Sequence, residues 1–448
     1  MVIRRAYRLT LDPTPQQAQT ISQWAGAARF AYNHAIEAKQ QSHKRWLQEV
    51  AYATYPPEAL TEEHARKSIR IPIPSANSLN AWLTETRYAH RDAAAEGVLV
   101  PGRDGRDHEP WIHAVNRYAL VGGIRNADAA WKNWIDSYMG TRAGRRVGYP
   151  HFKKRGVARE SFTIAHDRKK PGIRLATTRR LRIPGLGEVR LHDHARHIQR
   201  KIRKGIVDIS SVTVSRRGHR WYACLAVEET IPIPRLSRRK RAAGTVGVDL
   251  GVTVAAALSN GELIANPRIN ASHSKKRARL QRKLARSQKG SCNRAKVVRK
   301  IGRLTHLEAR QREGHNHNLT NYLVRTWAVI GIENLNIAGM TRSARGTIEK
   351  PGKNVRAKAG LNRSLLDVAP GQIRRLLTYK ATWVGTGLIV IDRWAPTSKQ
   401  CSNCGGVKAK LPRGQRTFRC EHCGLRLNRD INAARNIAAL AVVATSTG

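Results

Sequence analysis

Four cysteines near the C-terminal end carry the plainest chemistry in this chain. Cys401 and Cys404 form one Cys-x-x-Cys pair and Cys420 and Cys423 a second, with fifteen residues between them. Each pair suits a tight knuckle that turns two thiolates toward one metal. Two knuckles supply the four sulfurs of a tetrahedral structural Zn²⁺ site. Gly405 and Gly424 each follow the second cysteine of a pair, where the turn favours a residue without Cβ. The bland alternative is disulfides or free thiols. Only six cysteines occur in 448 residues, and no apolar leader segment is read at the N-terminus. Both point to a reducing compartment, which disfavours disulfides.

Three acids form the second constellation. Asp430 lies seven residues past Cys423, inside Asn428-Arg429-Asp430-Ile431-Asn432-Ala433-Ala434, where an alanine-rich helical run begins. An acid there is commonly a helix cap; the alternative is a ligand positioned by the zinc module. Asp249 interrupts an apolar strand pattern that starts at Thr245 and continues through Val252–Leu258. An unpaired carboxylate in that setting costs several kcal/mol (about 2–7 for a polar group, more for a charge), so a divalent cation or a hydrogen-bond partner must compensate. Glu333 ends a second apolar run, Trp327–Ile332. Carboxylates from two strands and a helix start can hold two divalent ions, about 3.5–4 Å apart, that clamp the attacking and leaving oxygens of a phosphodiester. Hard oxygen ligands select Mg²⁺ or Mn²⁺.

Composition names the class of partner. Lys and Arg total 82 against 31 Asp and Glu, a formal charge of +51. Such an excess repels itself unless a polyanion neutralises it, and nucleic acid is the default polyanion. An anionic membrane surface is the alternative, but no apolar run reaches spanning length. The expectation is a soluble, intracellular protein.

The elements that must position these residues are legible in outline. Ile3–Leu11 alternates as a strand. Thr14-Pro15-Gln16-Gln17 is a capping-box helix start, followed by the stripe Ile21, Trp24, Ala28, Ala31, Ala35. Helices are expected over 75–88 and 116–138. Between 142 and 159 lies a basic loop whose Tyr149 and Phe152 sit among cations, as base stacking or plain solvation would allow. Short strands from Phe162 to Val227, with a basic segment Arg196–Lys204 among them, suggest a small β-barrel. Ile231–Ala243 reads as a linker. Beyond it the pattern predicts a strand from 245, a type I′ turn at Asn260-Gly261, a basic helical hairpin over 270–325 and the Glu333 strand. An irregular loop over 340–362, a helix over 372–383 and a strand over 388–391 follow. This order fits an RNase-H-like fold.

The chain resembles the TnpB family, also called OrfB: transposon-encoded, RNA-guided nucleases with a RuvC-like domain. Val248-Asp249-Leu250-Gly251, Ile332-Glu333-Asn334-Leu335, Ser398-Lys399-Gln400-Cys401-Ser402-Asn403-Cys404-Gly405 and Asn428–Ala434 carry the resemblance. Tyr7-Arg8, Pro15-Gln16-Gln17, Arg29, Tyr32, Asn33 and Gly148–Lys153 add to it near the N-terminus. It implies a catalytic triad at Asp249, Glu333 and Asp430 and zinc ligands at Cys401, Cys404, Cys420 and Cys423. It implies a mixed α/β and β fold: a wedge barrel from 1–11 plus 141–235, a helical recognition domain over 12–140, and an RNase-H-like nuclease domain over 236–448 with a zinc ribbon inserted at 396–427. The implied activity is metal-dependent cleavage of DNA directed by a guide RNA from the transposon end. The resemblance also implies a cytoplasmic, nucleoid-associated protein of a prokaryote. The alternatives are a guided DNA-binding repressor without cleavage, against which the intact acids speak, and a strand-transferring transposase.

Overall fold

The computed structural model describes the chain except residues 56–59, 103–104, 168–170, 413 and 447–448. It divides into two compact units, Met1–Ile231 and Pro232–Gly448.

The first unit opens with β1 (Val2–Asp12) and α1 (Pro15–Ala53). The capping box is complete: the Gln17 N–H donates to Thr14 Oγ1 and the Thr14 N–H to Gln17 Oε1, both at 3.2 Å. Ile21, Trp24, Ala28, Ala31 and Ala35 are buried on one face, as the helical period requires. Next come α2 (Glu62–Ser68), α3 (Ala76–Glu96), the short strands β2 (Val100–Pro101) and β3 (Asp107–His108), and α4 (Arg117–Tyr138). Ser75 and Asn116 cap α3 and α4 by accepting from the N–H groups of Ser78 and Tyr118. Gly123 lets α4 lie against α1, since a Cβ there would meet the Ala28 carbonyl oxygen at 2.3 Å.

The remaining elements are β4 (Ser161–Ala165), β5 (Arg174–Thr177), β6 (Arg180–Ile183), β7 (Gly187–Leu191), α5 (Arg196–Arg203), β8 (Val207–Arg217) and β9 (Arg220–Thr230). With β1 they form one antiparallel sheet in the order β4-β8-β9-β1-β7-β6-β5. The N-terminal strand sits at its centre, laddered to β9 from Val2↔Thr230 to Leu11↔Trp221. The expected barrel is not closed: among the described residues β4 and β5 are edges that do not pair with each other. The basic segment over 196–204 is helical, and α5 turns Ile202 and Arg203 into a cleft between Leu175 of β5 and Ile209 of β8.

The basic loop over 142–159 is fastened to α1. Asn33 brackets the Lys153 backbone, donating to its carbonyl at 3.1 Å and accepting from its N–H at 2.8 Å. The Lys153 ammonium lies 3.7 Å from the Tyr32 ring centroid, and burial lowers its pKa. Tyr149 packs on Trp134, while Phe152 remains exposed. Tyr7 is buried, and its hydroxyl donates to Glu229 at 2.6 Å. Tyr7, Tyr32 and Asn33 are therefore engaged in packing the first unit.

The second unit begins with α6 (Arg238–Ala243), β10 (Thr245–Asp249), β11 (Val254–Leu258) and β12 (Leu263–Ala265). The apolar run expected as one strand from 245 is two, folded back antiparallel with Val248 opposite Leu258. The turn at Asn260-Gly261 is not type I′, which requires positive φ at both central residues. Gly261 has φ 97° and Asn260 is not in that region. The Gly261 N–H reaches the Leu258 carbonyl at 3.0 Å, closing a three-residue loop.

Next come α7 (Ile269–Ser272), α8 (Ser274–Ala285) and α9 (Cys292–Thr326), the last two being the basic hairpin. Then follow β13 (Val329–Glu333), α10 (Ile337–Met340), α11 (Val355–Val368), α12 (Pro370–Val384) and β14 (Gly387–Ile391). The stretch expected as irregular over 340–362 becomes helical at Val355. Its apolar anchors, Leu365 and Val368, lie beyond that window. Last are β15 (Thr417–Arg419), β16 (Arg426–Asn428) and α13 (Arg429–Ser446).

The five-stranded sheet has the order β12-β11-β10-β13-β14, with β10, β13 and β14 parallel. Strand alternation sorts its faces. Val246, Val248, Ile330 and Ile332 join Leu323 of α9, Trp327 just past it, and Ile373 and Leu377 of α12 in one core. The other face carries Gly247, Asp249, Gly331 and Glu333, and α13 covers it.

Candidate active site

The acids meet because of how α13 lies on that second face. A Cβ at Gly247 would stand 2.0 Å from the Ala434 carbonyl oxygen and 2.4 Å from the Ala438 nitrogen. At Gly331 it would stand 2.9 Å from the Ala441 Cβ. Each glycine is two residues before an acid, on the same face of its strand, and together they admit the helix to backbone distance. Asp430 is one helical turn before Ala434, on the side that faces the sheet. The parallel register pairs Val248 with Ile332, so Asp249 and Glu333 are the next residues of adjacent strands.

Electrostatics report the same convergence. The Asp249 carboxyl is pushed up to about 7, first by burial and then by the charges of Glu333 and Asp430, while the Arg429 guanidinium pulls the other way. Asp249 ends β10 and is half-buried, where an embedded mid-strand position was expected. The Thr397 hydroxyl donates to Glu333 Oε1. Asp430 lies 3.5 Å from Arg429 and 3.9 Å from Arg416. It does not cap its helix: Asn428 Oδ1 accepts from the Asp430 N–H at 2.9 Å and the Ile431 N–H at 3.3 Å. The cap reading of Asp430 gives way to one in which its carboxylate is left for other partners.

The four cysteines converge as their spacing predicts. One sulfur from each forms a group within 4.8 Å, with Cys401–Cys423 at 3.6 Å and Cys404–Cys420 at 3.5 Å. Zn–S bonds of about 2.3 Å in a tetrahedron separate sulfurs by about 3.8 Å, so the donor set suits zinc. Gly405 and Gly424 take φ of 74° and 71°, closing the knuckles. The Leu425 N–H and then the Asn403 amide hold the Cys423 thiol down at about 6, toward the thiolate a metal needs.

The ribbon is joined to α13 by two side chains that the pattern alone did not single out. The Asn432 amide donates to the Gln400 carbonyl at 2.7 Å and its oxygen accepts from the Ser402 N–H at 2.9 Å. The Asn436 amide reaches the Thr397 and Gln400 carbonyls, each at 2.7 Å. Both asparagines are buried. They fasten the first knuckle to the helix that carries Asp430, and Asn436 also holds Thr397 where it touches Glu333. Two polar residues four apart in an apolar helix were the available signal; Gly247 and Gly331, each two before an acid, were the other.

Three family models match: "Probable transposase" of the OrfB type over residues 222–344, "Cas12f1-like, TNB domain" over 371–437, and an OrfB "Helix-turn-helix domain" over 1–46. In this structure residues 1–46 form β1 and most of the single helix α1. The Escherichia coli protein named "Putative RNA-guided DNA endonuclease InsQ" is 30% identical over 97% of this chain and 92% of its own length. A Mycobacterium tuberculosis protein of the same description is 31% identical over 97% of this chain and 86% of its own. The solved complex of Cas12f1 with guide RNA and target DNA superimposes with a TM-score of 0.49 at 13% identity, over 98% of this chain and 99% of that one. By the OrfB family models and the two relatives that are 30% and 31% identical across 97% of its length, the chain belongs to the TnpB/OrfB family.

Proposed function

We propose that this chain is a transposon-associated, RNA-guided DNA endonuclease whose hydrolytic centre is Asp249, Glu333 and Asp430. The carrying observation is the convergence of Asp249, Glu333 and Asp430: burial first, and then the charges of the other two acids, raise the Asp249 carboxyl to about 7. Such mutual repulsion in a half-buried site suits a divalent cation, and the oxygen donors suit Mg²⁺ or Mn²⁺. When bound, such ions supply a nucleophile at neutral pH and neutralise charge on the phosphodiester. The protein's share is placement. Adjacent strand ends hold Asp249 and Glu333 side by side, Thr397 fixes the Glu333 carboxylate, and Asn428 leaves Asp430 available.

Cys401, Cys404, Cys420 and Cys423 would hold a structural zinc whose four-thiolate shell leaves no open position for chemistry. The sheet order and α13 support an RNase-H-like (RuvC-like) assignment for 236–448, with the ribbon at 396–427. Residues 1–11 with 141–235 would serve as the wedge and 12–140 as the recognition helices. Guide RNA and target DNA are the polyanions that the +51 charge calls for. No described helix is long and apolar enough to cross a membrane, and a place at the nucleoid in the prokaryotic cytoplasm follows from a DNA substrate.

The test is Asp249→Ala in the full chain with its copurifying RNA. Cleavage of matched DNA in Mg²⁺ should be abolished while RNA binding stays near wild type, and EDTA should silence the wild type. Near-normal cleavage by the variant overturns the triad. A wild type that never cuts but binds guided targets supports the repressor reading, and guide-independent strand joining supports the transposase reading.

A further inference from the structure

Trp394 stands apart from every other tryptophan. All ten are among the described residues, and nine are buried or half-buried; Trp394 is 78% exposed. An indole held in solvent keeps a large, rigid ring face open to a stacking partner.

Its place in the chain is equally specific. β14 ends at Ile391, which is paired with Glu333. Thr397, six residues on, donates its hydroxyl to the same Glu333. The segment between them leaves Glu333 and returns to it, with Trp394 midway, three residues from either end. Three residues of chain span at most about 11 Å, so the Trp394 backbone stays within that reach of Ile391 and Thr397, which both adjoin Glu333.

The loop is built to hold that pose. Asp392 Oδ1 accepts from the Trp394 N–H at 2.7 Å, and the Asp392 carbonyl accepts from the Ala395 N–H at 3.2 Å. Arg393 lays its guanidinium 4.8 Å from the Trp394 ring centroid. An exposed aromatic face beside a cation has the composition of a base-stacking platform: the ring takes a nucleobase and the cation its phosphate.

We propose that Trp394, with Arg393, stacks an unpaired base of the DNA strand being cut, next to the scissile phosphate. This rests on the nuclease reading of Asp249, Glu333 and Asp430. It assigns Trp394 a role in positioning the strand, and none in the chemistry. The partner is single-stranded because bases stacked inside a duplex have both faces covered by their neighbours.

Two measurements test it. The first needs no cleavage. The full chain with its RNA and the Asp249→Ala change is loaded with target DNA bearing 5-iodouracil near the cut position, irradiated, and mapped by mass spectrometry. The crosslink should fall on the peptide containing Trp394 and vanish in Asp249→Ala/Trp394→Ala. A crosslink elsewhere, unchanged by the Trp394 substitution, overturns the proposal.

The second compares single-turnover cleavage in the active chain. Trp394→Ala should cut roughly 10-fold or more slowly, as loss of one base–aromatic stack implies. Trp394→Phe should stay within about 3-fold of wild type, because it keeps a stacking face. Zinc content and melting temperature should be unchanged in both, since the side chain is exposed. Full-speed cutting by Trp394→Ala, or equal defects in the Ala and Phe variants, overturns the proposal. If the wild type cuts nothing, the nuclease reading fails while the crosslink still reports on the stack.

Discussion

Asp249→Asn should make the metal-free protein more stable while removing its activity. The carboxyl titrates near 7 in the fold against about 3.8 for an ordinary aspartate. Between those values the folded state keeps a proton that the unfolded chain has released. Metal-free stability therefore falls as pH rises from about 4 to about 7. The full linkage is on the order of 4 kcal/mol, at 1.36 kcal/mol per pH unit. Asp249 is only half-buried, so solvent screening reduces this to about 2 kcal/mol. Asparagine keeps the shape and cannot ionise. In EDTA at pH 8, calorimetry of the full chain should place the transition of the second unit about 4–8 °C higher in the variant, at 2–4 °C per kcal/mol for a unit of this size. At pH 5 the gap should shrink to less than half, and near pH 4 it should close. Mg²⁺ should raise the wild-type transition and leave the variant nearly unmoved, because binding to the fold alone stabilises it. A variant no more stable than wild type at pH 8, or a gap that widens on acidification, would refute the account of repulsion at this site.

Gly247→Ala sets a methyl 2.0 Å from the Ala434 carbonyl oxygen, backbone that cannot swing aside. It should cost about 3 kcal/mol and, by shifting α13, slow cleavage on the order of 100-fold; thermal unfolding and single-turnover assays check both. Cys420→Ser should lower zinc below the expected single ion per chain, by elemental analysis, and lower cleavage with it. The route is the Asn432 and Asn436 bonds from the first knuckle to the Asp430 helix. Full zinc and full activity would refute the coupling. Nucleic-acid affinity should fall steeply with salt, with a log–log slope magnitude of about 5 or more if roughly six phosphates are neutralised; a flat titration would mean the charge is dispersed.

What the sequence determined by itself is chemistry written in short spacings. The Cys-x-x-Cys pairs with their glycines, the Thr14–Gln17 capping box and the stripe from Ile21 to Ala35 each depend on residues within a few positions of one another, and local geometry decides them. Acids set against apolar runs, Asp249 inside one and Glu333 at the end of another, were visible for the same reason, although Asp249 proved to end its strand. Whether those acids meet each other and Asp430 depends on strands and a helix far apart in the chain. Only the tertiary structure brings them together, through glycines whose missing side chains matter solely because α13 happens to press there. The helix cap fell to Asn428 and not Asp430, because either side chain could have served locally and packing chose. Barrel closure was likewise not a local matter. Whether β4 and β5 pair depends on the course of strands far apart in the chain, and among the described residues they remain the two edges of the sheet. Spacing announces which residues can do chemistry; long-range packing decides which of them do it together.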